Sequence, residues 1–125
     1  MKTYLKLTFL FAVLIYATSC GGDKKPVAQA NKSIILKGLY SYGPEVRSFT
    51  DCEESKDYWV IDSAKTLELA YSDLGFEKPY TPVYVEVECQ IIKSDTTVTG
   101  NYDSTMVVTK LNKISKQIPE GPCNQ

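Results

Sequence analysis

Val83, Val85, Val87, Cys89 and Ile91 fall at alternate positions, with Tyr84, Glu86, Glu88 and Gln90 between them. A period of two over that length predicts a strand with one buried face and one wet face. Shorter β-like runs precede it at Ile34–Tyr42, Val46–Asp51 and Tyr58–Ile61, and another follows at Thr105–Leu111. Gly38 lies inside the first run, where a glycine marks a bend or bulge. Gly43-Pro44 and the polar stretch Glu53-Glu54-Ser55-Lys56 read as turns. Between Ser63 and Leu74 the period changes. Ala64, Leu67, Ala70 or Tyr71, and Leu74 recur at helical spacing, Asp62 and Ser63 are good N-caps, and Gly75 sits where a left-handed cap belongs. Pro79 and Pro82 keep the following segment extended, and Ser94–Asp103 is a polar loop.

Three strands, one helix and two strands is an order that antiparallel pairing closes into a small barrel, with the helix across one end. The expected fold is mainly β: a five-stranded, OB-like Greek-key barrel with its helix between strands three and four. A small open α+β sandwich is the alternative.

The first nineteen residues follow a different logic. Lys2 and Lys6 flank the start of an apolar run, Leu7–Ala17, that is too short to span a bilayer comfortably. Ala17-Thr18-Ser19-Cys20 then resembles the lipobox of bacterial lipoproteins, although Ala17 stands where leucine is usual. The expected organisation is a lipoprotein signal peptide over residues 1–19, a lipidated tether over 20–32 and an OB-like domain over 33–125. Cys20 is the lipidation site. The tether, Gly21–Lys32, is too polar to offset its ordering entropy and reaches on the order of 20 Å. Gly21 after the acylated cysteine makes the outer membrane the expected destination. Asp23-Lys24-Lys25 could further direct export to the surface in some lineages. The membrane, through the lipid, is thus the first expected partner.

Composition narrows the chemistry. The 125 residues carry a formal charge of −1, and removing Lys2 and Lys6 with the signal peptide leaves −3. Nucleic-acid affinity comes mainly from lysine and arginine neutralising phosphates. An acidic domain with Arg47 as its one arginine is not built for that. Histidine is absent from the sequence. That excludes Ser-His-Asp and Cys-His catalysis and every histidine-containing zinc site. Asp51, Glu53, Glu54 and Asp57 crowd one turn, but a polar hairpin explains them without catalysis. No enzyme and no cofactor is expected. OB barrels bind ligands on one face, often through aromatic residues. Tyr40, Tyr42, Tyr58 and Trp59 are the candidate ligand face, with Tyr80 and Tyr84 as further rings.

The remaining cysteines are Cys52, Cys89 and Cys123. Cys89 belongs to the inward row of its strand and reads as a small buried hydrophobe. Cys52 ends a strand and Cys123 lies in the loose tail Pro119–Cys123, so pairing them would tie down the C-terminus. In an exported domain such a bridge persists. Closing a loop of about 70 residues is worth roughly 4 kcal/mol on chain-entropy grounds, against a total stability of about 5–15 kcal/mol. Cys52, Cys89 and Met106 are also soft ligands that suit Cu(I), but none forms a local chelating pair, and no metal site is assigned.

Leu36-Lys37-Gly38-Leu39-Tyr40-Ser41-Tyr42, Phe49-Thr50-Asp51-Cys52, the helix with Leu67-Glu68 and Tyr71, Glu77-Lys78-Pro79, Val83-Tyr84-Val85-Glu86-Val87 and the terminal Cys123 occur in one order. That order resembles the C-terminal OB-fold domain of the NlpE-type outer-membrane lipoproteins, over about Ile34–Cys123. The resemblance implies a non-enzymatic envelope lipoprotein concerned with envelope stress or copper homeostasis, and the Cys52–Cys123 pairing agrees with it. It also implies an envelope protein partner such as a sensor kinase. The family's N-terminal barrel and its CxxC pair have no counterpart here, and the copper association and kinase contact are ascribed largely to that part. Cys89 has no family role. The competing reading is an OB-type binding module for an oligosaccharide or peptide.

Overall fold

The computed structural model describes residues 32–124. The expected signal peptide and most of the expected tether lie outside the described residues. Five strands, β1 (Ile34–Tyr42), β2 (Arg47–Asp51), β3 (Asp57–Asp62), β4 (Val83–Lys93) and β5 (Ser104–Ser115), form a closed barrel in the order β1-β2-β3-β5-β4. Every neighbouring pair is antiparallel except β3 and β5, whose parallel pairing from Trp59–Thr105 to Asp62–Val108 closes the barrel. Helix α1 (Thr66–Asp73) lies between β3 and β4, and a four-residue helix α2 (Thr96–Thr99) lies in the β4–β5 connection. This is the mainly β, OB-type architecture expected from the element order.

Closure depends on β1 serving two neighbours. Its Ile34–Tyr40 stretch pairs with β4, and from Gly38 onward it also pairs with β2. Gly38 stands where that double pairing begins. A Cβ there would run into the Thr50 carbonyl oxygen and the Phe49 ring, so close approach of β2 requires its absence.

The core is filled from both ends of the strand alternation. Val83, Val85, Val87 and Cys89 of β4 are fully buried and meet Tyr40, Phe49, Val60, Met106 and Val108 from the other strands. Tyr84, on the expected wet face, is also buried. Its hydroxyl donates to Glu86 Oε1 at 2.8 Å and the Lys113 ammonium lies over its ring, so long side chains cover it.

Helix α1 starts three residues later than the spacing predicts. Asp62 completes β3, and the amide and hydroxyl of Ser63 both donate to the Val108 carbonyl, at 3.2 and 2.6 Å. The predicted first turn is therefore held by β5, and Lys65 enters the helix from the left-handed region (φ 61°). Capping comes from further back: Asp62 Oδ2 accepts from the Glu68 amide at 2.9 Å. Leu67 and Tyr71 are the buried helical residues, Ala64 is exposed, and Gly75 is left-handed as expected. At the other end of the barrel, Asp95 caps α2 by accepting from the Thr97 amide, and the Thr97 hydroxyl, followed by that amide, lowers its carboxyl pKa. β5 runs past its predicted end to Ser115, paired with β4 across register shifts at Glu86/Val87 and Glu88/Cys89.

Candidate functional site

Two places concentrate chemistry, one at each end of the barrel. At the β2–β3 end, Asp51 is buried and its Oδ1 accepts from the amides of Glu53 and Glu54, at 2.7 and 3.0 Å. The Ser55 amide donates to the Asp51 carbonyl, and the Cys52 amide donates to Lys37 of β1 at 3.3 Å. This network fixes the backbone around Cys52, which is bridged to Cys123 with their Cα atoms 4.7 Å apart. The last residues of the chain are thereby fastened to the barrel. Asp57 accepts from the Thr50 hydroxyl at 2.6 Å. The carboxylates of this turn thus organise the disulfide-bearing loop and do not converge as a catalytic pair.

Cys89 is free and fully buried. Burial, and secondarily the Asp51 charge, pushes its thiol up to about 11. A thiol in that setting is protonated and inert near neutrality. The three soft side chains considered for copper are accordingly separated in role: Cys52 is bridged, while Cys89 and Met106 are sealed in the core. Among the described residues no group of metal-ligating side chains gathers.

The aromatic face expected from the sequence is not assembled as expected. Tyr40 and Tyr58 are core residues, with 0% and 5% of their surface exposed. They point inward with Phe49 and Val60, because the inward rows of β1 and β3 carry tyrosine and the outward rows carry Leu39, Trp59 and Ile61. Tyr42 and Trp59 are half-buried at the surface but belong to different clusters. Trp59 packs against Tyr102, centroids 5.8 Å apart, whereas Tyr42 packs against Tyr71 at 5.7 Å.

Tyr42 faces the second place, an open cleft of about 430 Å³ at the helical end. Tyr42, Pro44 and Arg47 form one wall, and Tyr71, Phe76 and Lys78 form the other. Sequence reasoning missed this cleft except for Tyr42. The missed signal was the Gly75–Pro79 connection, which brings an aromatic ring and a lysine opposite the β1–β2 turn. Tyr80 shapes that turn: its amide donates to the Tyr42 carbonyl at 2.9 Å and its hydroxyl accepts from the Glu45 amide at 3.1 Å. Its ring occupies the space above Gly43, and its backbone is left-handed (φ 64°). A non-glycine residue held there is strained, and the two hydrogen bonds offset that strain. Arg47 lies over the Tyr42 ring at 5.6 Å and pairs with Glu68 at 3.0 Å, joining the β1–β2 turn to the helix.

A closed small β-barrel with a helix across one end and a disulfide fastening its C-terminal tail defines a stapled OB-type module. The chain belongs to the NlpE C-terminal OB-domain family, whose profile matches residues 30–123. The crystal structure of the Cpx pathway activator NlpE from Escherichia coli is similar, with a TM-score of 0.54 and 22% identity over 68% of this chain. At that identity the likeness speaks for the fold. The match spans 41% of that protein's chain, well under two thirds of its length. No curated protein matches the sequence.

Proposed function

We propose that this protein is a lipid-anchored module of the bacterial envelope, non-enzymatic, that acts in the envelope stress response. The observation that carries this reading is the Cys52–Cys123 bridge in a domain of the NlpE C-terminal family. A bridge across that span belongs to an oxidising compartment, and the lipobox-like Ala17–Cys20 supplies the route there and an anchor, with the outer membrane as destination. The similar structure is that of a Cpx pathway activator, which makes an envelope signalling protein such as a sensor kinase the fitting class of partner. Copper homeostasis is the weaker half of the family expectation, because the soft ligands of this domain are bridged or sealed.

The test is intact-mass analysis of protein extracted from bacterial envelopes, with thiol labelling before and after reduction. The expected species carries acyl chains on Cys20, takes one label on unfolding, at Cys89, and takes two more after reduction. A Cpx-responsive reporter in the same cells, driven by the wild-type chain and by a Cys20→Ala variant, tests the signalling role. An unacylated chain, or a reporter indifferent to overproduction of the wild-type protein, would defeat the proposal.

A further inference from the structure

We infer that the hollow between the β2–β3 turn and the α2–β5 connection is a binding site for an uncharged oligosaccharide of pyranose rings. This goes beyond the envelope role and uses neither the bridge nor the lipid anchor. The hollow holds about 520 Å³, the size of a small-ligand site, and is lined by Ser55, Lys56, Asp57, Asn101, Tyr102 and Asp103. Tyr102 also packs on Trp59, the single tryptophan of the chain, on the outward row of β3. Of the four rings expected to form a ligand face, only Trp59 stands here.

A sugar presents C–H groups to an aromatic ring and hydroxyls, each both donor and acceptor, to polar side chains. Both kinds of partner are open here. Tyr42, Tyr58, Tyr84 and Phe76 each lie under a lysine or arginine, and Tyr80 is folded over Gly43. Trp59 and Tyr102 lie under no cation among the described residues. Lys56, the one cation of the lining, is drawn over Tyr58. The side chains of Ser55, Asn101, Tyr102 and Asp103 make no hydrogen bond among the described residues, and Asp57 commits one oxygen, to Thr50. Their backbone is nonetheless held: the Thr99 hydroxyl donates to the Tyr102 carbonyl and the Ser94 amide to the Asp103 carbonyl, both at 3.1 Å. Unclaimed side chains on a fixed backbone bind without a large ordering cost.

Charge narrows the ligand further. At this end of the barrel Asp51, Glu53, Glu54, Asp57, Asp95 and Asp103 outnumber Lys32, Lys56 and Lys93. That surplus repels nucleic acid and acidic glycans. Within the hollow itself two carboxylates face one lysine, so a basic peptide finds little net charge there. Half of the lining, Ser55, Asn101 and Tyr102, is uncharged and both donates and accepts, which matches hydroxyls rather than ions.

Trp59 makes the test direct, because all tryptophan emission arises beside the hollow. The full chain, in a detergent without a sugar headgroup, is titrated with cellotetraose, maltotetraose and N-acetylchitotetraose, following Trp59 fluorescence and the heat of binding. At least one of them is expected to change the emission saturably, with a matching heat and an affinity unchanged by added salt. Asn101 and Asp103 are exposed, so Asn101→Ala/Asp103→Asn should keep the wild-type circular dichroism and Tm while weakening that binding about tenfold or more. Glu77→Gln, at the helical end, should bind like wild type. No response to any of the three sugars, binding indifferent to Asn101→Ala/Asp103→Asn, equal binding of tetragalacturonate, or a response confined to a tetralysine peptide and abolished by salt would each overturn the inference.

Discussion

Tyr40 and Tyr71 share one aromatic cluster, with centroids 5.6 Å apart, but their hydroxyls are in opposite circumstances. Tyr71 donates to the Thr81 carbonyl at 2.8 Å, while the buried Tyr40 hydroxyl has no partner among the described residues. Removing a satisfied hydroxyl costs about 1 kcal/mol, whereas removing an unsatisfied buried one relieves a desolvation penalty. Tyr71→Phe should therefore lower stability by about 1 kcal/mol in urea unfolding, and Tyr40→Phe should be neutral or stabilising. A Tyr40→Phe loss as large as that of Tyr71→Phe would show that its hydroxyl is satisfied after all. Gly38→Ala should cost about 1–3 kcal/mol or more, because the new Cβ meets β2 backbone and a packed ring rather than a mobile side chain. The sequence did single out Gly38, since a glycine in a strand interior is an anomaly with few explanations. It misplaced Tyr40 and Tyr58, because β1 and β3 carry large apolar residues at both parities. Alternation alone then leaves the choice of inward row open. Only the pairing of those strands with β2, β4 and β5 decides it.

At the scale of elements, strands were more legible than ends of strands. The β4 pattern and the three-strand, helix, two-strand order favour the barrel, because closure leaves no strand edge unpaired. The same order also fits an open sandwich, and only the parallel β3–β5 pairing decides between them. The helix start was shifted by a contact that no local pattern contains: the Val108 carbonyl of β5 captures Ser63 and holds the first predicted turn out of the helix. Helix α2 went unseen because Thr96-Thr97-Val98-Thr99 is a run of poor helix formers, held by the Asp95 cap and flanked by the Ser94–Thr105 hydroxyl pair at 2.8 Å. Asp62 offers the sharpest test at this scale. Its Oδ2 caps Glu68 from the end of β3, so Asp62→Ala should cost about 0.5–2 kcal/mol and speed amide exchange at Glu68 and Leu69 before the rest of α1. Uniform loosening of the whole barrel would mean that Asp62 acts on the core rather than on the helix. The cleft itself was illegible because its walls come from the β1–β2 turn, α1 and the Gly75–Pro79 connection, which are joined only after folding.

For the molecule as a whole, two covalent facts about sulfur set conditions for stability. The bridge restrains the unfolded chain by roughly 4 kcal/mol, a large share of the 5–15 kcal/mol that such domains possess. Cys52→Ser/Cys123→Ser should therefore lower the unfolding free energy read from urea titration by about 4 kcal/mol. Exchange should rise first in the 52–56 turn and the 116–124 tail, and unchanged protection in both would leave the bridge without a structural role. The buried Cys89 thiol adds a dependence on pH whose sign follows from its displacement, from an ordinary 9.0 to about 11. The folded state holds that proton more tightly than the unfolded state does. Its contribution is whole below about pH 9 and is lost as pH rises toward about 11. Burial displaces Tyr84 in the same direction, up to about 12, so its share is lost at higher pH. Alkaline titration of urea stability should fall first in the Cys89 window, and Cys89→Ala, though less stable at pH 7, should lose that first step while keeping the later one. If both proteins weaken in parallel from pH 9 to 11, the ionisation that limits this fold in base belongs to a tyrosine, and the thiol at the barrel's centre is packing alone.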